Sequence, residues 1–271
     1  MLKWDGTEKT KYNQFVWIPV EVNKETDTET SIASFYRSAW ENNARTTELS
    51  SDYTEPYSYD ETNDYDASTG IKSQIENLTK SIYKYGGFYI GRYEAGSETE
   101  RTSSSGVTAI GIKQDMYPYN YVKWGNSMSN IGTAGAVYLS NSLYNSSDYG
   151  ATSMLCTGAC WDSMLDFIKD EKHNVTSSSS WGNHLDSETY KVCRGSIYCN
   201  SAWSSVDATN GTEITKGQSI LLTTGATERN SAKNIYDVAG NCSEWTTESL
   251  SLVDRVGRVS RGRPFQQIRS S

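Results

Sequence analysis

The chain has 271 residues, 36% of them apolar, and a formal net charge of −8 at pH 7. This acidic balance argues against the clustered Lys and Arg side chains that neutralise phosphates, so we expect no nucleic-acid partner. The sequence contains no apolar run of about 18 residues, and its N-terminus lacks the basic-then-apolar pattern of a secretory signal. We therefore expect no membrane insertion and no signal peptide.

Residues 1–70 are mostly polar and predict an N-terminal extension with one short strand. The strand is the alternating stretch FVWIPVEV, residues 15–22, in which Pro19 favours an edge position. Residues 23–69 are rich in Glu, Asp, Thr, Ser and Tyr, a composition typical of a surface excursion. Within them, SIASFYRSAWENN, residues 31–43, is predicted to be partly helical.

The first clear helix is predicted in GIKSQIENLTKSIYKYGG. Its apolar positions are Ile71, Ile75, Leu78 and Ile82. They recur at helical spacing, and the glycine pair that follows Tyr85 is a typical helix end. The next segment, FYIGRYEAG, residues 88–96, alternates between two faces and predicts a strand.

Further helices and short strands are predicted downstream. Residues 126–143 predict a helix weakened by glycines, and residues 156–171 predict another, with Thr157 as its N-cap. KVCRGSIYC and SILLTTG are typical of short strands. Early helices and late short strands without a βαβ rhythm predict an α+β fold.

The five cysteines are Cys156, Cys160, Cys193, Cys199 and Cys242. Because their number is odd, at least one has no partner within the chain. Their spacings lack the short clusters typical of zinc sites. Unpaired buried thiols are favoured over disulfides and over a metal site.

Five segments occur in an order that resembles a known family. They are GGFYIGRYEAG, YNYVKW, MLCTGACWDSMLDFI, NIYDVAGNCSEWT and RVSRGRPF. This order resembles the sulfatase-modifying-factor superfamily, the formylglycine-generating enzyme and its relatives, over roughly residues 85–265. The resemblance implies a C-type-lectin-like domain over residues 71–271, with a small twisted antiparallel sheet, flanking helices and long loops.

That superfamily contains both catalysts and noncatalytic binding proteins, among them variable proteins that retroelements diversify in phage and gut bacteria. The sequence NIYDVAGN resembles the noncatalytic binding proteins more than the catalysts. The resemblance therefore implies a noncatalytic ligand-binding or display protein that recognises a protein or glycan on a cell surface. A phage virion or a bacterial surface is the expected location.

Catalytic relatives hold copper with two cysteine thiolates downstream of their RGGSW-like element. Here that element reads RVSRGRPF, and no cysteine follows Cys242, so no copper is expected. Two alternatives stay open: a copper-dependent oxidoreductase with relocated cysteines, and a truncated, non-functional family member. His173 and His184 lie in polar loops without a nucleophile pattern and are expected to be solvated.

In catalytic relatives the loop that corresponds to NIYDVAGNCSEWT wraps a structural calcium ion. By position, the resemblance assigns the ligands to the Asp237 and Glu244 side chains and to the carbonyls of Gly240 and Cys242. The alternative interpretation, given equal weight, is that the two carboxylates bind loop amides and no metal is present. Both interpretations give this loop a structural role.

The same loop predicts a local packing arrangement. Trp245 is expected to be its buried anchor, with Ile235 and Val238 packed beside it. Gly240 allows a positive φ or a close backbone approach, and Asn241 tolerates a turn.

Ligand contacts in the retroelement-diversified relatives follow the RGGSW-like strand. The resemblance places them here at Arg263, Phe265, Gln266, Gln267 and Arg269. The final GFR-like strand of the family is missing from the sequence. The chain is therefore expected to be truncated, frameshifted or completed by another polypeptide.

Overall fold

The computed structural model describes residues 11–46, 53–54, 70–126, 132–218, 220–252 and 255–262. These ranges combine four α-helices with sixteen short strands, which confirms the α+β class. The helices are α1 (Ile71–Tyr85), α2 (Ala136–Leu143), α3 (Ser146–Tyr149) and α4 (Gly158–Ile168). The strands are β1 (Phe15–Pro19), β2 (Ala39–Glu41), β3 (Ala44–Thr46), β4 (Tyr53–Thr54), β5 (Gly87–Gly91), β6 (Gly96–Ser97), β7 (Tyr117–Pro118), β8 (Tyr190–Val192), β9 (Ser196–Cys199), β10 (Ala202–Ser205), β11 (Thr212–Ile214), β12 (Leu221–Leu222), β13 (Ser231–Ala232), β14 (Ile235–Tyr236), β15 (Glu244–Leu252) and β16 (Arg255–Arg261).

The strands form small antiparallel sheets rather than one large one. Two of these sheets have three strands, in the orders β10-β9-β12 and β16-β15-β4. The pairs are β1-β5, β11-β8, β13-β14, β2-β3 and β6-β7. The β15-β16 ladder shifts register between Trp245 and Ser249, which marks a bulge.

Two helix predictions are confirmed with their end signals. Helix α1 buries Ile71, Ile75 and Ile82 and ends at Gly86, whose φ of 79° is left-handed and whose N–H donates to the Ile82 carbonyl. Helix α4 begins after Thr157, whose side chain accepts from the Cys160 N–H. Both ends depend on local chemistry, which explains why the sequence predicts them.

Two other helix predictions need correction. Helix α2 begins at Ala136 after Gly135, whose backbone is extended with φ −82° and ψ 171°, and residues 127–131 of the predicted helix lie outside the described residues. The partial helix predicted at residues 31–43 is wrong. Instead, Asn42 and Asn43 adopt left-handed backbone angles of φ 50° and 60° and form the turn between β2 and β3.

The largest hydrophobic core lies between α4, α1 and the β1-β5 pair. Ile18 and Val20 from the first strand region and Ile32 from the following loop are buried in it, together with Met164 and Ile168 of α4. Residues from the polar N-terminal part of the sequence are therefore packed into the same core as the rest of the chain.

A buried ion network ties this N-terminal part to β15. The Glu248 carboxylate is fully buried and accepts from Arg261 Nη2 at 2.7 Å, from Arg261 Nε at 2.8 Å and from Arg37 Nε. Asp162 of α4, also fully buried, lies 3.4 Å from Arg37 Nη1 and accepts from the Ser38 N–H at 2.7 Å. The network thus joins α4, β15 and β16 to the loop that precedes β2, which is distant from them in sequence.

Candidate functional site

Asn241 is the centre of the loop that the sequence singled out. It is fully buried, and its side-chain oxygen accepts from the Leu222 N–H at 2.8 Å and from Asn183 Nδ2 at 3.2 Å. Its amide group donates to Glu94 Oε2 at 2.7 Å and to the Leu222 carbonyl at 3.1 Å. Sequence reasoning assigned Asn241 only a turn, but its side chain joins three separate segments.

The backbone of this loop confirms the predicted turn chemistry. Gly240 has a φ of 130°, and a Cβ there would lie 2.1 Å from the Asn183 carbonyl oxygen. Asp237 and Asn241 have φ values of 65° and 60°. Only glycine fits the close approach at position 240.

Three carboxyl groups lie close to one another at this loop: Asp237 and Glu244 belong to the loop, and Glu94 comes from the segment after β5. Glu94 Oε1 accepts from the Cys242 N–H at 3.0 Å, and Asp237 Oδ2 accepts from the Gly225 N–H at 2.7 Å. Asp237 Oδ1 and Glu244 Oε2 are buried and have no hydrogen-bond partner within the described structure. The sequence analysis did not predict Glu94, although it lies in the segment GGFYIGRYEAG.

The surroundings of this carboxylate cluster favour protonated groups. Burial raises the pKa of Asp237 to about 7, against the lowering effect of the Gly225 N–H. Burial, followed by the charge of Asp237, raises the pKa of Glu94 well above its usual range. Burial and then the charge of Glu94 do the same for Glu244 and for the Cys242 thiol.

The calcium assignment stays a prediction. Oxygen ligands suit calcium, and the two unpartnered carboxylate oxygens would be satisfied by a cation. However, no three Asp, Glu, His or Cys side chains among the described residues form a metal-binding group. Asp237 also binds a loop amide, as the alternative interpretation expects for its carboxylate.

Replacing Asp237 with asparagine is expected to reduce the pH dependence of stability. Between pH 4 and 7 the unfolded chain has released this proton and the folded chain has not, so wild-type stability falls as pH rises. We expect the Asp237 proton to contribute a loss on the order of 2 kcal/mol between pH 5 and pH 7 in urea unfolding with EDTA, and the profile of Asp237→Asn to be flatter than that of wild type by this amount. Asp166→Asn, at an exposed ion pair on α4, is the control and should keep the wild-type slope.

The same pair of variants tests the metal. If calcium binds here, its addition at pH 7 raises the melting temperature of wild type and of Asp166→Asn but not of Asp237→Asn. If the free energy of unfolding depended on pH equally in wild type and in Asp237→Asn, the argument that burial raises the pKa of Asp237 would be contradicted. If calcium does not change the melting temperature of wild type, the interpretation in which the two carboxylates bind loop amides and no metal is present is retained.

Trp245 has different neighbours from those predicted. Ile235 and Val238 are buried in the largest core, whereas Trp245 packs against a separate cluster that contains Trp124. The Trp245 indole N–H donates to the Val122 carbonyl at 2.9 Å. The prediction that these three residues pack together is wrong, because Trp245 lies on β15 and is drawn towards the YNYVKW segment.

The cysteines and histidines lie in different environments in the described structure. None of the five cysteines is in a disulfide; Cys160 is buried and Cys193 is exposed. His173 bonds with Asp170 Oδ1 at 2.9 Å. The expectation of a solvated His184 is wrong, since it is buried and lies 3.0 Å from the Ser178 hydroxyl.

The β1-β5 pair presents an uncharged face to solvent, which we call the outer face. Its residues, in register pairs, are Phe15 with Gly91, Trp17 with Tyr89 and Pro19 with Gly87. The opposite face carries Ile18 and Phe88 into the core. Tyr89 is 68% exposed, Phe15 38% and Trp17 37%. The outer face therefore consists only of aromatic rings, proline and glycine.

The rings of the outer face are held in place by one another and by the glycines. Trp17 and Tyr89 meet edge to face at 4.9 Å, and a Cβ on Gly87 would lie 2.6 Å from the Trp17 ring. Phe15 meets Tyr144 at 5.7 Å, and the Tyr144 hydroxyl accepts from Asn13 Nδ2 at 2.9 Å. Gly87 is required here because a larger residue would displace the indole.

A concave region that is separate from the outer face borders Gly262 and has a volume of about 560 Å³. Its tryptophans, Trp161 and Trp181, are only 6% and 4% exposed, so they offer a ligand little ring surface. The predicted ligand residues Arg263, Phe265, Gln266, Gln267 and Arg269 lie outside the described residues. Their assignment stays a prediction.

Comparisons of the chain with protein-family models, with curated proteins and with solved structures found no match. In the described ranges, no helix has the length and apolar character needed to cross a membrane.

Proposed function

We propose that the chain is a noncatalytic ligand-binding or display protein that recognises a protein or glycan on a cell surface. The observation that carries the proposal is the outer face, where three aromatic side chains point to solvent without a charged neighbour on the same strands. Exposed apolar patches commonly mark interaction sites. Aromatic rings supply large contact areas at low cost in conformational entropy, as in evolved binding loops.

We further propose a C-type-lectin-like scaffold of the formylglycine-generating-enzyme type. Its support is that the segments carrying the resemblance contact one another. Glu94 binds Asn241, and the Trp124 indole donates to the Thr246 carbonyl at 2.9 Å. The Thr247 N–H donates to the Cys156 carbonyl at 3.0 Å. The first two contacts join three of the five segments, and the third joins MLCTGACWDSMLDFI to the residue that directly follows NIYDVAGNCSEWT.

The state of the thiols favours binding over the oxidoreductase alternative. Copper is held by thiolates, whereas burial and neighbouring carboxylates raise the pKa of the Cys242 thiol. Cys156 and Cys160 pack against the largest core. Cys193 is exposed and Cys199 is half-buried, so that pair stays open to the oxidoreductase alternative.

The proposal is tested by measuring binding and turnover on the same preparation. The labelled chain is titrated onto intact bacterial cells and onto an immobilised glycan panel, and oxygen uptake is followed with Cu(I) and a cysteine-containing peptide. We expect saturable binding that unlabelled chain displaces, and oxygen uptake no greater than with copper and peptide alone. Copper-dependent uptake that requires the chain would contradict the proposal, as would the absence of saturable binding.

A further inference from the structure

Aromatic rings continue from the outer face onto the segment that runs from the end of α2 into α3. Trp17 and Tyr89 meet at 4.9 Å, and Phe15 lies on the same face of β1, two residues from Trp17. Phe15 meets Tyr144 at 5.7 Å, and Tyr144 meets Tyr149 at 4.9 Å between ring centroids. These contacts form one continuous row of five rings, which we call the aromatic row: Tyr89, Trp17, Phe15, Tyr144 and Tyr149.

The aromatic row is open to solvent at both ends. Tyr89 is 68% exposed at one end, Tyr149 is 61% exposed at the other, and Tyr144 between them is half-buried. Two strand residues and three ring contacts give the row a length on the order of 20 Å. A pyranose ring is similar in width to an aromatic ring, so a row of this length accommodates several sugar units in sequence.

The aromatic row offers no cation to a ligand. Other exposed rings of the chain are covered by one; the Lys84 ammonium, for example, lies 4.9 Å from the centre of the Tyr85 ring. Within the described ranges, no Lys or Arg lies over a ring of the row. The charged neighbour of Tyr149 is Asp148, whose carboxylate accepts from Asn145 Nδ2 at 2.8 Å and from the Ser147 hydroxyl at 3.2 Å. This charge pattern disfavours an acidic ligand.

The composition of the row favours a sugar over a protein surface. Among the described residues of the β1-β5 pair, the outer face carries no Met, Arg, Leu, Ile or Val side chain. The cores of protein interfaces are enriched in Met and Arg as well as in aromatic residues. The polar groups beside the rings are neutral: Asn13 Nδ2 donates to the Tyr144 hydroxyl at 2.9 Å. Amide and hydroxyl groups both donate to and accept from sugar hydroxyls.

We infer that the ligand is a neutral linear saccharide whose successive sugar rings pack along the aromatic row. Aromatic faces carry partial negative charge, which attracts the C–H groups on the face of a sugar ring. The inference rests on the proposed function. It names the ligand class of the outer face and adds Tyr144 and Tyr149 to the binding surface.

The test measures binding of the full chain by titration calorimetry. The neutral probes are maltohexaose, cellohexaose and mannohexaose, each with its disaccharide, and the acidic probe is hexagalacturonate. Tyr149→Ala removes the last ring of the row, whereas Tyr149→Phe keeps it. Tyr85→Ala is the matched control, because Tyr85 is 63% exposed but lies outside the row and under a lysine.

We expect at least one neutral hexasaccharide to bind about tenfold more tightly than its disaccharide, because further sugar units contact further rings. Tyr149→Ala should bind this hexasaccharide about tenfold more weakly, whereas Tyr149→Phe and Tyr85→Ala should bind it as wild type does. Hexagalacturonate should bind more weakly than the neutral probe. The inference is overturned if all three neutral hexasaccharides fail to bind, if hexagalacturonate binds more tightly, or if Tyr149→Ala and Tyr85→Ala lose equal affinity.

Cell binding separates failure of this inference from failure of the proposed function. Periodate cleaves the vicinal diols of surface saccharides, so saturable binding to bacterial cells should be lost after the cells are treated with periodate. Saturable binding that survives this treatment would overturn the inference and leave the proposed function standing, with a protein as the ligand. The absence of saturable binding to untreated cells would overturn both.

Discussion

Glu248→Gln is expected to lower the free energy of unfolding by about 3–5 kcal/mol, because it removes the charge of a fully buried carboxylate that binds both Arg37 and Arg261. Glutamine keeps the shape of the side chain but not its charge. Arg261 would then remain largely buried beside a neutral group, whereas Arg37 would keep Asp162 at 3.4 Å. Leaving a buried charge without its closest counter-ion costs more than the pair itself contributes.

The measurement is urea unfolding at pH 7, with Glu98→Gln as the matched control. Glu98 is 81% exposed and lies 3.6 Å from Lys113, and such surface pairs contribute about 0–1 kcal/mol. A Glu248→Gln loss no larger than that of Glu98→Gln would show that the network is not a determinant of stability.

The pH dependence gives a second readout of the same network. Burial alone would raise the pKa of Glu248, but Arg261 and Arg37 outweigh it and hold the pKa below its usual value of 4.5. The contribution of Glu248 is therefore complete above about pH 4.5 and is lost as pH falls through the folded-state pKa. Wild type should show this acid loss, and Glu248→Gln should not.

Features set by neighbouring residues could be predicted from the sequence. The end of α1 at Gly86, the Thr157 cap of α4 and the left-handed turn at Gly240 each follow from one or two residues. The α+β class follows from the spacing of these elements. The hairpin at Asn42 and Asn43 was missed, although two consecutive asparagines are a signal for such a turn.

Features set by pairs of residues that are distant in sequence could not be predicted from the sequence. Arg37 and Glu248 are 211 residues apart, and Glu94 and Asn241 are 147 apart. Neither local periodicity nor composition specifies which distant partner a polar side chain meets. For the same reason Trp245 was assigned to the wrong core cluster, and buried His184 was expected in solvent.

The outer face could be predicted from the sequence only in part. Alternation in FVWIPVEV and FYIGRYEAG predicts two strands, each with an aromatic side. Only the pairing of Trp17 with Tyr89 shows that the aromatic sides coincide and that solvent, rather than the core, covers them. The ligand contacts that the resemblance places in the C-terminal segment lie outside the described residues and stay a prediction.

Removing the outer rings is expected to abolish most ligand binding. Aromatic residues at binding hot spots each contribute about 2 kcal/mol or more, so Trp17→Ala/Tyr89→Ala should weaken binding at least about 100-fold. Tyr89 is mostly solvent-exposed, so Tyr89→Ala alone should leave the melting temperature close to that of wild type. Trp17 also covers Gly87, and its variant needs a thermal melt to show that the fold is retained.

The most direct test compares the dissociation constants of four folded proteins for the same cell surface or glycan: wild type, Tyr89→Ala, Trp17→Ala/Tyr89→Ala and Tyr121→Ala. Tyr121, 54% exposed in another loop, controls for loss of an exposed tyrosine. A stepwise loss with the outer-face variants and a wild-type constant for Tyr121→Ala is the predicted result. A folded Trp17→Ala/Tyr89→Ala protein that binds as tightly as wild type would contradict the assignment of the outer face as the ligand-binding surface.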